Sequence, residues 1–216
     1  MMQILVYADS LSWGLIPGTR GRLAFHERWP GVLETELRKA GRDVRVIEDC
    51  LNGRRTVWDD PFKAGRNGIL GVQQRMEVNS PLALVVLMLG TNDFQSMHAH
   101  TPWHSAQGIA SMVRAMRDAP IEPGMPVPPI LIVAPPLVSR PAGTMTPRFA
   151  GAPEKSAGLA AAFQEVATEL GCPFFDAGAV VSTSPVDGVH LDAEATRALG
   201  LAMVAPVTAL LAEGVR

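Results

Sequence analysis

Five short apolar runs rich in β-branched residues recur along this chain, at 4–8, 44–48, 82–89, 130–134 and, more weakly, 173–176. Their apolarity is continuous rather than alternating, so each predicts a strand covered on both faces, as in a parallel sheet. Helical patterns at 29–40, 103–117, 154–170 and 192–211 lie among them, and Gly41 and Gly171 stand where helix C-terminal glycines are expected. The alternation predicts an α/β fold, a three-layer α/β/α domain around a five-stranded parallel sheet with right-handed crossovers. In such a sheet ligands bind beyond the carboxyl ends of the strands. Residues that directly follow the apolar runs are therefore the first candidates for chemistry.

A chain of 216 residues, 47% hydrophobic and 19% charged, buries one sizeable core, and we read residues 1–216 as a single domain. Two Pro/Gly-rich segments, 119–129 and 135–153, are read as loops of that domain, the second rimming the pocket because it follows a strand directly. The net charge of -2 comes from 19 basic and 21 acidic residues scattered along the sequence, a distribution that points away from nucleic acid and from an anionic membrane. The apolar run at 4–8 has no basic flank and is too short for a signal-peptide core or a membrane span, so a cytoplasmic location is expected. Cys50 and Cys172 make no close-spaced pair and are read as reduced, buried thiols.

Four blocks follow the runs. Asp9-Ser10-Leu11-Ser12 places a serine hydroxyl at the functional edge of the sheet, and Gly90-Thr91-Asn92-Asp93 places an amide there that could donate to a developing oxyanion. Leu51-Asn52-Gly53-Arg54-Arg55-Thr56 holds a glycine whose N–H could approach a ligand, while Arg54 and Arg55 read as solvated surface charge. Asp187-Gly188-Val189-His190 spaces a carboxylate and an imidazole so that one loop supplies both a base and the group that fixes its tautomer. Each block alone is equally compatible with a turn or a helix cap.

Taken together, the blocks resemble those of the SGNH (GDSL-like) hydrolase family, which carry Ser, Gly, Asn and His after successive strands. The resemblance implies a flavodoxin-like fold and a triad of Ser10 as nucleophile, His190 as base and Asp187 as its orienting carboxylate. It also implies an oxyanion hole from the N–H groups of Ser10 and Gly53 and the Asn92 amide, with no metal or other cofactor. A finer similarity to the arylesterase and acyltransferase (perhydrolase-like) branch rests on Ser10-Leu11-Ser12-Trp13-Gly14, Arg28-Trp29-Pro30-Gly31-Val32-Leu33, Asp59-Asp60-Pro61, Arg66-Asn67-Gly68, Leu87-Met88-Leu89-Gly90 and Phe174-Phe175-Asp176-Ala177-Gly178. That branch implies small acyl esters as substrates, acyl transfer to alcohols or peroxide beside hydrolysis, and homo-oligomers. It points to Asp9, Leu11, Trp13, Leu15, Phe94 and Val189 as substrate-binding positions.

The chain departs from the family pattern in carrying Ala8 for the usual Gly, and from the branch in carrying Leu15 for a second Trp and Phe94 for Thr. Three other readings are set beside the esterase. They are a carbohydrate acetylesterase of the same fold, a metal-dependent enzyme built on His98, His100 and His104, and a degenerate domain that binds ligands without turnover.

Overall fold

The computed structural model describes residues 1–213. Strands β1 (Met2–Ala8), β2 (Val44–Cys50), β3 (Leu84–Met88), β4 (Ile130–Ala134) and β5 (Phe174–Asp176) form one five-stranded sheet in the order β2-β1-β3-β4-β5. Every pairing is parallel, with Ile4 opposite Val46 on one side and Leu84 on the other. The helices are α1 (Ser10–Trp13), α2 (Trp29–Lys39), α3 (Val72–Asn79), α4 (Pro102–Arg117), α5 (Met145–Arg148), α6 (Ala152–Ser156), α7 (Leu159–Glu169), α8 (Ala193–Ala202) and α9 (Val204–Glu213).

The three layers follow from the period of two along a strand. Leu5 and Tyr7 of β1 join Val85 and Leu87 of β3 on one face, packed against Met76 of α3, Ile109 and Val113 of α4 and Phe163 of α7. Ile4, Val6, Val86 and Met88 point to the other face and meet Trp29, Leu33 and Leu37 of α2 with Leu199 of α8, Val207 of α9 and Met203 between those two helices. Both faces are dry along the central strands β1, β3 and β4, which accounts for the unbroken apolarity of their runs, whereas the edge strand β2 carries the exposed Arg45 and β5 is partly buried; each fully buried aliphatic side chain contributes about 1.5–3 kcal/mol.

Three differences from the sequence reading have local causes. The pattern at 154–170 divides into α6 and α7 because Gly158 takes a left-handed conformation (φ +90°) that interrupts the helix. The pattern at 192–211 divides at Met203, where Pro206 lacks the N–H that would bond the Ala202 carbonyl. Helix α3 was not expected, since Val72 and Met76 are the only buried residues along it.

Residues Ala193–Ala212 are long and apolar enough by composition to cross a membrane. That apolarity is explained by the core contacts of Leu199, Met203, Val207 and Leu211. Cys50 and Cys172 are free, and both are partly buried where buried thiols were expected.

Candidate active site

Strand β1 leads to β2 on one side of the sheet, and the chain then crosses to β3 on the other, so the connections leaving β1 and β3 diverge at their carboxyl ends. Ser10 begins α1 immediately after β1, with Asp9 as the helix cap accepting from the Leu11 N–H at 3.0 Å. Asn92 follows β3 in a 3-10 turn (Thr91–Phe94), Gly53 follows β2, and Asp187 to His190 lie in the loop before α8. Separated by up to 180 positions in sequence, Ser10 and His190 are neighbours: His190 Nε2 lies 3.1 Å from Ser10 Oγ. His190 Nδ1 lies 2.7 Å from Asp187 Oδ2.

The carboxylate is held as firmly as the ring. Asp187 Oδ1 accepts from the backbone N–H groups of Val189 and His190, each at 2.9 Å, and Oδ2 accepts in addition from the Gly18 N–H at 3.2 Å. Burial opposes its ionisation, but the hydrogen bonds from the His190 ring and from these amides prevail and hold Asp187 well below the usual carboxylate range. Its loop is pinned from outside, with the Ser139 N–H donating to the Gly188 carbonyl at 2.9 Å and the Ala142 N–H to the Asp187 carbonyl at 3.0 Å. Gly188 (φ +75°) is required there, because a Cβ would run into the Arg140 carbonyl.

Opposite the triad, a directed chain of hydrogen bonds fixes the Asn92 amide. Arg55 Nη2 donates to Gln95 Oε1 at 2.7 Å, Gln95 Nε2 to Asn92 Oδ1 at 2.7 Å, and Asn92 Nδ2 to Asp9 Oδ2 at 2.9 Å. A cation stands at one end and a carboxylate at the other, so no amide in the chain can flip without setting donor against donor. Asn92 Nδ2 also donates to the Arg54 carbonyl, at a longer 3.2 Å. Burial pushes the Asp9 carboxyl up to about 6, against the lowering effects of the Leu11 N–H, His190, Asn92 and Arg54.

The backbone N–H groups of Ser10 and Gly53 meet no acceptor among the described residues. Gly53 has φ +83°, a left-handed conformation that favours glycine. Ser10, Gly53, Asn92, Asp187 and His190 all line one cavity of about 380 Å³.

Of the positions expected to bind substrate, Leu15 is on the wall of this cavity. Leu11, Phe94 and Val189 are not; they are core residues no more than 2% exposed, because each points inward from its turn to anchor it. Asp9 is buried behind Ser10 and reaches the cavity only through Asn92. Trp13 is absent from the cavity lining and carries Arg22 over its ring at 4.7 Å.

Arg54 and Arg55 are not solvated surface charges. Arg54 donates to the Ala8 carbonyl at 2.9 Å and to Asp49 Oδ1 at 2.6 Å, capping strand ends, and Arg55 is fully buried and paired with Asp60 at 2.8 Å. Gln95 and Gly18 carried no sequence signal, although the Gln lies three residues after Asn92, the spacing that puts both on one side of a helical turn.

His98, His100 and His104 do come together, but as a stack. The rings of His98 and His100 lie 4.7 Å apart and 8° from parallel, with Trp58 against His100 at 4.1 Å. Stacked rings direct their nitrogens away from a common point, and no cluster among the described residues has the geometry of a metal site. Burial, with neighbouring His98 and His104, lowers the His100 imidazole to about 4.

Residues 9–198 match the model of the GDSL-like lipase/acylhydrolase family. The chain belongs to that family. This GDSL-like chain also superposes on solved esterases of the SGNH fold over nearly its whole length. It is similar to a carbohydrate acetylesterase family member from Sinorhizobium meliloti (40% identity, TM-score 0.91, covering 98% of this chain and 100% of that one). It is similar to the inhibitor-bound aryl esterase of M. smegmatis (35% identity, TM-score 0.91, 97% and 100% covered) and to a second carbohydrate acetylesterase from Sinorhizobium meliloti (34%, 0.90, 97% and 100%). Comparison with curated proteins gave no match. The GDSL-like protein is thus an esterase of the SGNH fold.

Proposed function

We propose that the protein hydrolyses small acyl esters through a Ser10–His190–Asp187 triad and an acyl-enzyme on Ser10. The observation that carries this reading is the continuous contact from Ser10 Oγ through the His190 ring to Asp187, at 3.1 Å and 2.7 Å, opening on a cavity. In the proposed cycle Ser10 Oγ attacks the ester carbonyl as its proton passes to His190 Nε2, while Asp187 keeps the ring hydrogen on Nδ1. The oxyanion is met by the two N–H groups that lack protein acceptors, those of Ser10 and Gly53. Asn92 Nδ2 serves as a third donor by exchanging its longer contact with the Arg54 carbonyl for the new charge. His190 then returns the proton to the leaving alcohol or phenol, and water attacks the acyl-enzyme by the same route.

The cavity volume suits an ester with a short acyl chain, and the aryl esterase and carbohydrate acetylesterases among its relatives favour aryl and acetyl esters. Leu15 on the cavity wall, in place of a bulky indole, leaves the acyl-enzyme open to water, so acyl transfer to alcohols is a minor route. The test is Ser10→Ala assayed with 4-nitrophenyl acetate. The variant is expected to fold normally and to lose turnover, keeping at most the residual rate, about 10³ to 10⁴ over water, that an oxyanion hole and binding supply. A folded Ser10→Ala protein with about a tenth of wild-type activity would remove Ser10 from the mechanism.

A further inference from the structure

The cavity is not electrically neutral around its polar machinery. Arg20, Lys63 and Arg148 line it, and Arg66 stands beside them next to Gly53. A Cβ placed on Gly53 would lie 3.5 Å from Arg148 Nη2 and 3.8 Å from Arg66 Cδ, so the Arg148 guanidinium sits against the glycine of the proposed oxyanion hole. None of these cations forms an ion pair among the described residues. Arg66 is partly committed, donating from Nε to the Asn52 carbonyl at 3.0 Å and from Nη1 to the Ala64 carbonyl at 3.0 Å. The side chains of Arg20, Lys63 and Arg148 donate to no protein acceptor among the described residues.

The acids nearby are already occupied. Asp60 Oδ2 pairs with the buried Arg55 and its Oδ1 accepts from the Phe62 and Lys63 N–H groups at 2.8 and 3.0 Å. Asp59 accepts from Asn67, and Asp187 is held by His190 and three backbone amides. Like charges gathered without counter-ions repel one another and oppose folding, and Arg148 is half-buried among them. In a chain of net charge -2 this concentration is local, and it lies where substrate must enter.

We propose that the ester this site is built for carries an anionic group, a carboxylate remote from the scissile bond, held by Arg148 with Arg20, Lys63 and Arg66. The proposal rests on the esterase reading of the same cavity and adds a substrate class to it. A guanidinium offers a paired fork to a carboxylate, whereas neutral acetates leave these donors to water. The cations also draw an anionic ester into the mouth, an effect that salt screens.

The experiment uses matched pairs of esters that differ in one charge. Phenyl hydrogen succinate against phenyl succinamate places the carboxylate on the acyl side, and 3-acetoxybenzoate against 3-acetoxybenzamide places it on the leaving group. In the wild type, one anionic ester is expected to exceed its neutral partner in kcat/KM by about 10- to 100-fold, the range for a hydrogen bond to a charged group. The ratio should fall towards unity in Arg148→Gln and decline in Lys63→Gln, whose exposed side chain has no structural role; the neutral ester measured in each variant divides out any general loss. Raising ionic strength to about 0.5 M should shrink the ratio as well.

A wild-type enzyme that turns over the neutral esters with no anionic preference in either pair overturns the proposal and leaves the esterase reading standing. A preference that survives in both variants also overturns it, by assigning the recognition to other residues. If no ester is turned over, the esterase reading fails on its own, and titration calorimetry of Ser10→Ala with the same four esters still decides the subsite. Tighter binding of one anionic partner, lost with Arg148→Gln, supports the proposal, and equal binding refutes it.

Discussion

Replacing Asp187 by asparagine keeps the shape of the triad and removes its charge, and the surrounding donors determine which way the new amide must face. Oδ1 of Asp187 accepts from two backbone N–H groups, those of Val189 and His190, both at 2.9 Å. Neither can turn away, because both belong to the loop that the Ser139 and Ala142 amides pin. The asparagine carbonyl therefore occupies the Oδ1 position and its NH2 group the Oδ2 position, 2.7 Å from His190 Nδ1. An amide that donates to Nδ1 forces the ring hydrogen onto Nε2, where it points at Ser10 Oγ and can no longer accept its proton. A wrong tautomer of this kind lowers kcat about 10⁴-fold, roughly 5 kcal/mol of transition-state stabilisation. The assay is steady-state hydrolysis of 4-nitrophenyl acetate at neutral pH, with circular dichroism to establish that the variant is folded. KM should change little, since the substitution keeps the shape of the cavity wall and the carboxylate acts on the reaction through His190. Retention of more than about a tenth of wild-type kcat by the folded variant would show that tautomer control is not what this carboxylate supplies.

Asn92→Ala is expected to lower kcat by about 10²- to 10³-fold with a smaller change in KM, and Gln95→Leu to lower it by a lesser factor through loss of amide orientation alone; an effect of either confined to KM would make the pair a substrate-positioning element instead. Asp9 gives a pH signature: its folded-state value of about 6 lies above the ordinary 3.8, so acidification through about 6 protonates it in the folded protein and replaces the charged acceptor of the Asn92 amide by a weaker, neutral carboxyl. Ionising it as pH rises from 3.8 to about 6 correspondingly costs stability. The kcat profile of Asp9→Asn should therefore lack one component of the wild-type acid limb, and identical limbs in the two proteins would exclude Asp9 from the rate. With a primary alcohol present beside an activated acetate ester, Leu15→Trp should raise the ratio of new ester to free acid, and an unchanged ratio removes position 15 from partitioning of the acyl-enzyme.

Sequence alone was enough for the elements whose causes are local. The runs at β1, β3 and β4 are apolar at every position because both faces of the sheet are covered, and that pattern predicts a parallel α/β sheet before any contact is known. The four blocks are legible for a related reason, since three directly follow a strand, the last lies just before a helix, and each carries a residue type that acyl transfer needs. What sequence could not supply was direction. Leu11, Phe94 and Val189 lie within two residues of Ser10, Asn92 and His190 respectively yet point into the core, while Leu15 points into the cavity; a turn's dihedral angles decide this, and they depend on the surfaces against which the turn packs. Arg54 and Arg55 were misjudged because a charged side chain reads as solvated until its partners are known, and those partners, Ala8, Asp49, Asp60 and Gln95, are assembled only by the folding of the sheet. The cationic wall has the same origin: Arg20 and Lys63 lie in separate loops and Arg148 ends α5, and only the convergence of these segments at the carboxyl edge of the sheet brings like charges together without counter-ions.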